Sequence, residues 1–322
     1  MVDQRRRGHL VLVGATASGK SQLALEVARR RPGTELVSVD SMAVYRSMNV
    51  GTATPSVTDR NEVPHHLLDL VEPTEEFTVS MFQAAAFGVL DDLDHRRCRS
   101  ILVGGTGLHV RAVVDELAIP PRFPDVRAEL EVDRDTGALY RRLVELDAKA
   151  AARMEPTNRR RILRALEVTV GAARPFSSFG PGLSLYPPTP FTQIGIRIPR
   201  AVLDRRILER YWHQMKSGFL EEVIALNQRL EPLSATAAQA LGYRELLAHL
   251  HGDCGLEEAV ESAVAATRRF ARRQDRWFRR DPRIDWIEVD EDPLEALPEV
   301  LERFDRSAPD DTNRSSKTVH RL

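Results

Sequence analysis

The chain is poor in the features that mark secreted, membrane and disulfide-stabilised proteins. Its 322 residues include only two cysteines, Cys98 and Cys254, which lie far apart and outside any CxxC spacing. This spacing argues against a disulfide framework and against a cysteine-based zinc site. No stretch approaches the roughly 20 consecutive apolar residues of a membrane span, and residues 1–8 lack the apolar segment of a signal peptide. We therefore expect a cytoplasmic protein that does not enter a membrane.

The chain also lacks an excess of either charge, because 46 Lys and Arg face 47 Asp and Glu, for a net charge of −1. A hydrophobic content of 42% is enough for a core, and the length predicts one large or two medium domains at about 150 residues each. The even balance hides two basic clusters. Residues 268–280 hold seven Arg and one Asp, and a second cluster of arginines lies in residues 159–164. Charge concentrated in this way favours a polyanionic partner.

The first 115 residues alternate between strand-like and helix-like segments. Short apolar runs at 9–13, 35–39 and 100–103 have the length of strands, and residues 22–30 have helical periodicity. Strand, loop and helix repeated in this order predict an α/β fold with a parallel sheet and helices on both of its faces.

From about Pro120 the pattern becomes helical, with predicted helices at 126–132, 138–152 and 160–170 and no strand between them. A strand at 193–198, a long helix at 256–280 and a last strand at 283–289 follow a Gly- and Pro-rich loop. We therefore predict four parts: the first part of the core at 1–119, a helical insertion and linker at 120–190, the continued core at 191–300 and a disordered tail at 306–322.

Residues 14–21 fit the phosphate-loop pattern GxxxxGK[ST] without a mismatch, between a predicted strand and a predicted helix. Backbone N–H groups and the helix N-terminus can cradle phosphate oxygens, Lys20 adds a positive charge, and Ser21 can hold Mg²⁺. The predicted site consists of Gly14, Ala15, Thr16, Ala17, Ser18, Gly19, Lys20 and Ser21.

The pattern alone does not identify the phosphate compound, because nucleotide hydrolases, kinases and other transferases share it. Many ATP- and GTP-binding proteins add an apolar strand that ends in an Asp for Mg²⁺. Here the strand at 100–103 ends in Gly-Gly-Thr-Gly, without an acid. This favours a loop that positions a substrate over a motor or switch.

Asp40 directly follows the predicted strand at 35–39, so it should lie at the sheet edge where open α/β sheets bind ligands. It can act there as a general base; it can also hold metal or cap the next helix. Thr106 lies at the same edge and either orients Asp40 or the acceptor, or simply belongs to a turn. The adjacent His65 and His66 lack further metal ligands, which favours a structural or substrate-channel role.

The long predicted helix places Arg268, Arg272, Arg276 and Arg280 at intervals of four, a stripe about 18 Å long at 1.5 Å per residue. A charged face that merely contacts solvent usually alternates in sign, and this one does not, so we favour nucleic-acid binding over a sulfate-binding or solvated face. In the insertion, Arg160, Arg161 and Arg164 lie beside an apolar stripe that includes Ile162 and Leu163.

Taken together, these segments resemble the tRNA dimethylallyltransferases, also called tRNA isopentenyltransferases. The similar blocks run in family order from residue 9 to about 290 and read GATASGKS, VSVDSMAVYRSMNVGTATP, VPHHLLDL, ILVGGTGLHVRA, RRRILRALEV, GFLEEV, ALGYRE and ATRRFARRQDRWFRRD. The resemblance implies transfer of a dimethylallyl group from dimethylallyl diphosphate to N6 of adenine 37 in the tRNA anticodon arm. It implies a phosphate-loop α/β core with a helical insertion, and Mg²⁺ at Ser21. We also expect a monomer.

Carried over by position, the resemblance implies that Asp40 activates the adenine amine with support from Thr106, and that Arg200 clamps the diphosphate. With the basic helix, the implied tRNA contacts are Asp40, Ser41, Met42, Ala43, Thr106, Arg127, Arg160, Arg161, Ile162, Leu163, Arg164, Arg268, Arg272 and Arg276.

The chain departs from the usual family pattern at Ala43, Thr54 and His109, where Gln, Lys and Tyr are usual, and at Arg160-Arg161, where Gln-Arg is usual. Ala43 puts the reading of the flipped adenine in doubt, because it removes an amide. The alternatives are an adenylate isopentenyltransferase, which would leave the basic helices unused, a small-metabolite kinase, which the Gly-Gly-Thr-Gly loop disfavours, and a non-catalytic RNA-binding protein, which Lys20, Ser21 and Asp40 disfavour.

Overall fold

The computed structural model describes residues 8–180 and 182–308. The described chain divides into two compact units, one formed by residues 115–187 and the other by the residues before and after them. The predicted tail begins inside the described part, because Arg306 ends a helix. Residues 309–322 of that tail lie outside the described residues.

The larger unit is built on a parallel sheet, as the sequence pattern predicts. Within the described residues the sheet has six strands in the order β3-β2-β4-β1-β5-β6. The strands are β1 (Leu10–Gly14), β2 (Thr34–Val39), β3 (His65–His66), β4 (Arg99–Gly104), β5 (Thr192–Arg197) and β6 (Asp285–Glu288).

Helices flank the sheet and fill the connections between its strands. In the larger unit they are α1 (Lys20–Arg30), α2 (Val57–Glu62), α3 (Val79–Arg96), α4 (Gly107–Val114), α9 (Arg200–Lys216), α10 (Phe219–Asn227), α11 (Tyr243–Leu250), α12 (Leu256–Phe278) and α13 (Leu297–Arg306), and in the smaller unit α5 (Pro124–Val132), α6 (Thr136–Leu146), α7 (Ala148–Ala151) and α8 (Arg159–Gly171).

The central strand β1 is fully buried and sends alternate side chains to opposite faces of the sheet. Leu10 and Leu12 join a core cluster with residues of α1 and α13, whereas Val11 and Val13 join a cluster with residues of α3, α9 and α12. This alternation follows from the two-residue period of a strand. The phosphate loop that follows β1 therefore begins at the middle of a sheet covered on both faces.

Two predicted helices differ from the observed ones. The predicted helix at 138–152 is divided into α6 and α7, because the Asp147 side chain accepts a hydrogen bond from the Ala150 amide and starts a new helix. Helix α12 ends at Phe278 instead of Arg280. There the buried Asp281 accepts hydrogen bonds from the Arg283 backbone N–H and guanidinium, which closes a turn before the chain enters β6.

The smaller unit has its own apolar core of leucine, isoleucine and alanine side chains from α5 to α8. A buried carboxylate, Glu167, organises one side of it. Glu167 accepts hydrogen bonds from the Phe123 amide at 2.9 Å and from Arg164 at 2.5 Å. These bonds compensate the cost of burying the charge.

In the part of the chain that the structure describes, no helix combines the length and the apolar character that crossing a bilayer requires.

Candidate functional site

The phosphate loop makes a tight turn between β1 and α1. Ala17 and Gly19 adopt left-handed backbone conformations, with φ of 64° and 81°. Any other residue in place of Gly19 would have to displace Pro293, because a Cβ there would lie 2.3 Å from Pro293 Cγ. Lys20 folds back and donates to the Ala15 carbonyl oxygen at 3.2 Å. Such alternating conformations form concave sites for anions, here at the N-terminus of α1.

The charges around this loop are close enough to perturb one another. Burial lowers the pKa of Lys20 to about 8, the charge of Asp40 opposes this, and the charge of Arg210 adds to it. Burial also lowers the pKa of Arg210, again opposed by Asp40. Two half-buried cations next to a single carboxylate form a pocket that favours an anionic ligand.

Helix α9 supplies arginines to the phosphate loop that the sequence reading missed. Arg210 donates to the Thr16 hydroxyl at 2.9 Å, and Arg206, one turn earlier, approaches the Ala17 carbonyl oxygen at 3.4 Å. Their spacing of four residues was a signal that they share one face of the helix.

Arg200 was predicted to clamp the diphosphate, but the structure places it elsewhere. Its side chain is 70% exposed and lies 3.7 Å from Asp204 on the same helix. It precedes Arg210 by about 15 Å of helix at 1.5 Å per residue. Arg210 therefore occupies the position beside the loop that the sequence reading gave to Arg200.

Asp40 and Thr106 lie together, as the sequence pattern predicts. They follow the neighbouring strands β2 and β4, whose last residues, Val39 and Gly104, are paired. The Ser41 amide donates to the Thr106 hydroxyl at 3.3 Å, and the Met42 amide donates to Asp40 Oδ1 at 2.8 Å. Thr106 thus holds the backbone next to Asp40.

Asp40 keeps one carboxylate oxygen available. Within the described residues Oδ2 has no hydrogen-bond partner and is not sealed from solvent. Asp40 does not cap the next helix either, because Ser56 caps α2. The alternative of a purely capping role is therefore wrong, and Asp40 has the free acceptor that a general base needs.

The Gly-Gly-Thr-Gly loop after β4 packs closely against α12. A Cβ at Gly107 would lie 2.2 Å from the Trp277 ring, and a Cβ at Gly105 would lie 2.2 Å from Gln274 Nε2. Gln274 donates to the Gly105 carbonyl oxygen and accepts from the Thr16 amide, both at 2.8 Å. The sequence reading missed Gln274, because nothing in its local pattern distinguishes it from the arginines around it.

The adjacent histidines have structural partners. His66 Nε2 lies 2.6 Å from Glu35, which also accepts two hydrogen bonds from Arg96, and His65 Nδ1 lies 2.7 Å from the Val63 carbonyl oxygen. Among residues 8–180 and 182–308, no three His, Cys, Asp or Glu side chains are grouped in a way that could hold a metal ion. The hydrogen bonds of His65 and His66 favour the structural role within the structural or substrate-channel role expected from the sequence.

Two of the positions that depart from the family pattern lie near Asp40. Ala43 is only 6% exposed, so a longer side chain there would have to displace its neighbours. His109 packs edge-on against Phe82 with 4.6 Å between ring centroids. Burial, opposed by the charge of Asp40, lowers the pKa of His109 to about 4.

The candidate tRNA contacts of the smaller unit differ in exposure and in their partners. Arg160 and Arg161 are exposed at the start of α8, whereas Ile162 and Leu163 are buried in the core of the unit, which corrects the expectation that their side chains contact tRNA. Arg127 pairs with Glu131 at 2.6 Å. Arg164 is half-buried and donates to Glu167 and to the Pro120 carbonyl oxygen.

The arginines of α12 do not form one uniform stripe. Arg268 is half-buried and donates to the Asp204 carbonyl oxygen, and Arg280 lies beyond the end of the helix. Arg276 is exposed and Arg272 partly so. Over the described ranges, no carboxylate forms an ion pair with Arg272 or Arg276. Arg269 and Arg273 on the same helix are exposed as well and, within the described residues, have no ion pair, so α12 offers four arginines to an anion.

The chain is similar to known proteins over most of its length. The family model described as IPP transferase matches residues 43–281. A tRNA dimethylallyltransferase of Thermobifida fusca is 45% identical over 87% of this chain and 90% of its own length.

The chain is also similar to solved structures. The tRNA isopentenylpyrophosphate transferase of Bacillus halodurans is 33% identical, with a TM-score of 0.67 over 93% of this chain and 97% of its own. A eukaryotic dimethylallyltransferase acting on tRNA, at 22% identity and a TM-score of 0.75, shares the fold over 92% of this chain and 77% of its own.

Proposed function

Because the chain belongs to the IPP transferase family and is a prenyltransferase that modifies tRNA, we propose that it transfers the dimethylallyl group of dimethylallyl diphosphate to N6 of adenine 37. The observation that carries this proposal is the position of Asp40, with a free carboxylate oxygen, within charge interaction of the phosphate-loop Lys20. One pocket thus offers a base beside cations that suit a leaving diphosphate.

The residues support a displacement in which one bond forms and one breaks. The N6 lone pair attacks C1 of the dimethylallyl group, and the electrons of the C1–O bond leave with the diphosphate. Lys20 and Arg210 stabilise the negative charge that develops on that oxygen. Asp40 Oδ2 takes the proton that N6 loses. Thr106 keeps the Asp40–Ser41 backbone in place through the Ser41 amide.

At this site Mg²⁺ would be bound mainly by the diphosphate and to a smaller extent by the protein. Mg²⁺ commonly binds through substrate phosphates, water and one or two protein oxygens. Ser21, exposed in the first turn of α1, offers one such oxygen. When bound there, Mg²⁺ would neutralise part of the charge of the leaving diphosphate.

The acceptor in this proposal is the anticodon stem-loop of tRNA. The exposed Arg160, Arg161, Arg272 and Arg276 offer positive charge for its phosphates, and adenine 37 has to turn out of its stack to reach Asp40. We infer that the enzyme works as a monomer in the cytoplasm. The tRNA-modifying relatives do not support an adenylate acceptor or a kinase reaction.

The test is a transfer assay with labelled dimethylallyl diphosphate and Mg²⁺. The acceptors are an unmodified tRNA with adenine at position 37, the same tRNA with guanine there, and AMP. We expect label only in the adenine-37 tRNA. Label in AMP, or equal label in the guanine-37 tRNA, would overturn the proposed acceptor.

Replacement of Asp40 tests the proposed base. Asp40→Asn keeps the shape and the acceptor for the Met42 amide, so we expect tRNA binding to persist while single-turnover transfer falls at least about 100-fold, as is typical for a lost general base. Filter binding and rapid-quench measurements separate the two effects. A near-normal transfer rate would remove Asp40 from this role.

A further inference from the structure

Gln274 joins the two loops that form the site. Its amide oxygen accepts a hydrogen bond from the Thr16 amide of the phosphate loop, and its amide nitrogen donates to the carbonyl oxygen of Gly105, next to Thr106. Both bonds are 2.8 Å long, and the residue is only 5% exposed. A single side chain thus bridges the loop proposed for the diphosphate and the loop that supports Asp40.

The contact depends on two features that a different residue would not reproduce. Glycine at position 105 lets Gln274 approach, because a Cβ there would meet Gln274 Nε2 at 2.2 Å. The bridge also needs an acceptor at one end and a donor at the other, and a primary amide supplies both. Leu offers neither group, Met offers only a weakly accepting thioether, and a charged Glu cannot donate to Gly105.

The bridge also determines what Thr16 can do. Its amide is directed to Gln274 and its hydroxyl accepts from Arg210 at 2.9 Å. Thr16 is therefore held from two helices, α12 and α9, and its N–H is engaged by protein in this conformation. Thr16 fixes the position of the loop more than it offers an amide to phosphate.

We propose that Gln274 is a positioning residue that sets the spacing between the phosphate loop and the Asp40–Thr106 pair. The proposal rests on the proposed transfer reaction. Gln274 need not touch either substrate; it aligns the reacting carbon, held through its diphosphate, with the amine held at Asp40. Alignment matters more for the rate than for binding, since a displacement of about 1 Å can cost about 100-fold in rate.

The test compares Gln274→Met with Thr267→Val in the full chain. Thr267 is a buried residue on the same helix whose hydroxyl lies 2.9 Å from the Tyr211 hydroxyl, so its replacement also removes a buried hydrogen bond. For Gln274→Met we expect kcat to fall at least about tenfold. We expect KM for dimethylallyl diphosphate and calorimetric Kd for inorganic diphosphate to stay within about threefold. Thr267→Val should lower Tm and leave kcat near the wild-type value.

Two further variants disturb the same contact between Gln274 and Gly105. Gln274→Asn keeps the amide but is one methylene too short for both bonds, and Gly105→Ala blocks the approach from the opposite side. Both should lower kcat in the same way, so the proposal can be tested even if Gln274→Met does not fold.

Several outcomes would overturn the inference. These are an unchanged kcat in the folded Gln274 variants, a loss of diphosphate affinity as large as the loss of kcat, or an equal loss of kcat in Thr267→Val. The wild-type enzyme is assayed alongside, so failure of the wild type to label tRNA would count against the proposed function instead.

Discussion

Lys20 gives the site a distinctive pH dependence. With a pKa of about 8, Lys20 is protonated below pH 8 and attracts diphosphate. Above pH 8 Lys20 is neutral in the free protein and has to take up a proton when diphosphate binds. Affinity for inorganic diphosphate should therefore fall by about one decade per pH unit above pH 8. Calorimetric titration at pH 7, 8 and 9.5 measures this decline.

Lys20→Met serves as the reference for that titration, because the ionisation of diphosphate itself contributes equally in both proteins. The wild type should lose about tenfold more affinity than the variant between pH 8 and 9.5. Parallel declines in the two proteins would show that Lys20 does not titrate in this range.

His109 should make the fold sensitive to mild acid. The unfolded chain binds a proton at His109 below about pH 6.5, whereas burial beside Phe82 keeps the folded-state pKa at about 4. Stability is therefore lost as the pH falls from 6.5 to 4, at about 1.4 kcal/mol per pH unit. Phe at position 109 cannot bind a proton, so on acidification to pH 5 the free energy of unfolding of His109→Phe should fall by about 2 kcal/mol less than that of the wild type. The charge of Asp40 is present in both proteins and does not cause this difference.

Chemical denaturation at pH 7 and pH 5 checks this difference. His251→Gln, a substitution of an exposed histidine, is the control and should follow the wild type. If His109→Phe loses as much stability as the wild type on acidification, the buried imidazole is not the source of the effect.

At the residue scale, the sequence predicts the groups that belong to contiguous motifs. The phosphate loop is recognisable because its glycines and Lys20 are adjacent in the chain. Asp40 is recognisable because it directly follows β2, and Thr106 because it lies in the glycine-rich loop after β4. Arg210 and Gln274 contact the same loop but lie 194 and 258 residues from Thr16, and no local pattern tells which face of a helix will meet it.

At the scale of the element, α12 combines a structural and a proposed binding face. Gln274 and Trp277 contact the larger unit's loops, whereas Arg272 and Arg276 carry unpaired charge. We expect replacement of both arginines by Ala to weaken tRNA binding and to reduce the slope of log K against log salt by about 1.6, at about 0.8 for each lost phosphate contact.

A matched control removes the same charge from the other face of the sheet. Arg30 and Arg306 lie on α1 and α13, and each pairs with a Glu of its own helix. The Arg30→Ala, Arg306→Ala double variant should leave the salt slope unchanged. Equal slopes in the two double variants would mean that net charge, and not the face of α12, governs tRNA binding.

Element boundaries were less predictable than the elements themselves. The apolar periods locate five of the six described strands to within about two residues, and they locate α1, α5, α8 and α12 about as closely. No bounds were predicted for α2, α3, α4, α9, α10, α11 and α13. The apolar periods do not reveal that Asp147 starts a new helix within an Ala- and Leu-rich run, because that depends on a side chain capping a backbone amide. The two-residue strand β3 was also missed, since its pairing with β2 depends on the fold and not on an apolar run.

At the scale of the whole molecule, the order of the strands determines where the loops of the candidate site lie. Strand β4 lies between β2 and β1, so the three loops that follow these strands share one edge of the sheet. The sequence predicts a parallel sheet and this edge. It does not predict the order of the strands, which depends on how each crossover helix packs on the faces.

The two side chains that hold Thr16 also determine when the site can exist during synthesis. A growing chain has the complete GATASGKS motif once Ser21 has been made, but it acquires Arg210 and Gln274 only after most of the protein has left the ribosome. Until then the loop lacks the partners that fix it. The nascent chain can therefore carry an intact phosphate-loop motif for most of its synthesis without yet having the positioned site that the finished enzyme uses.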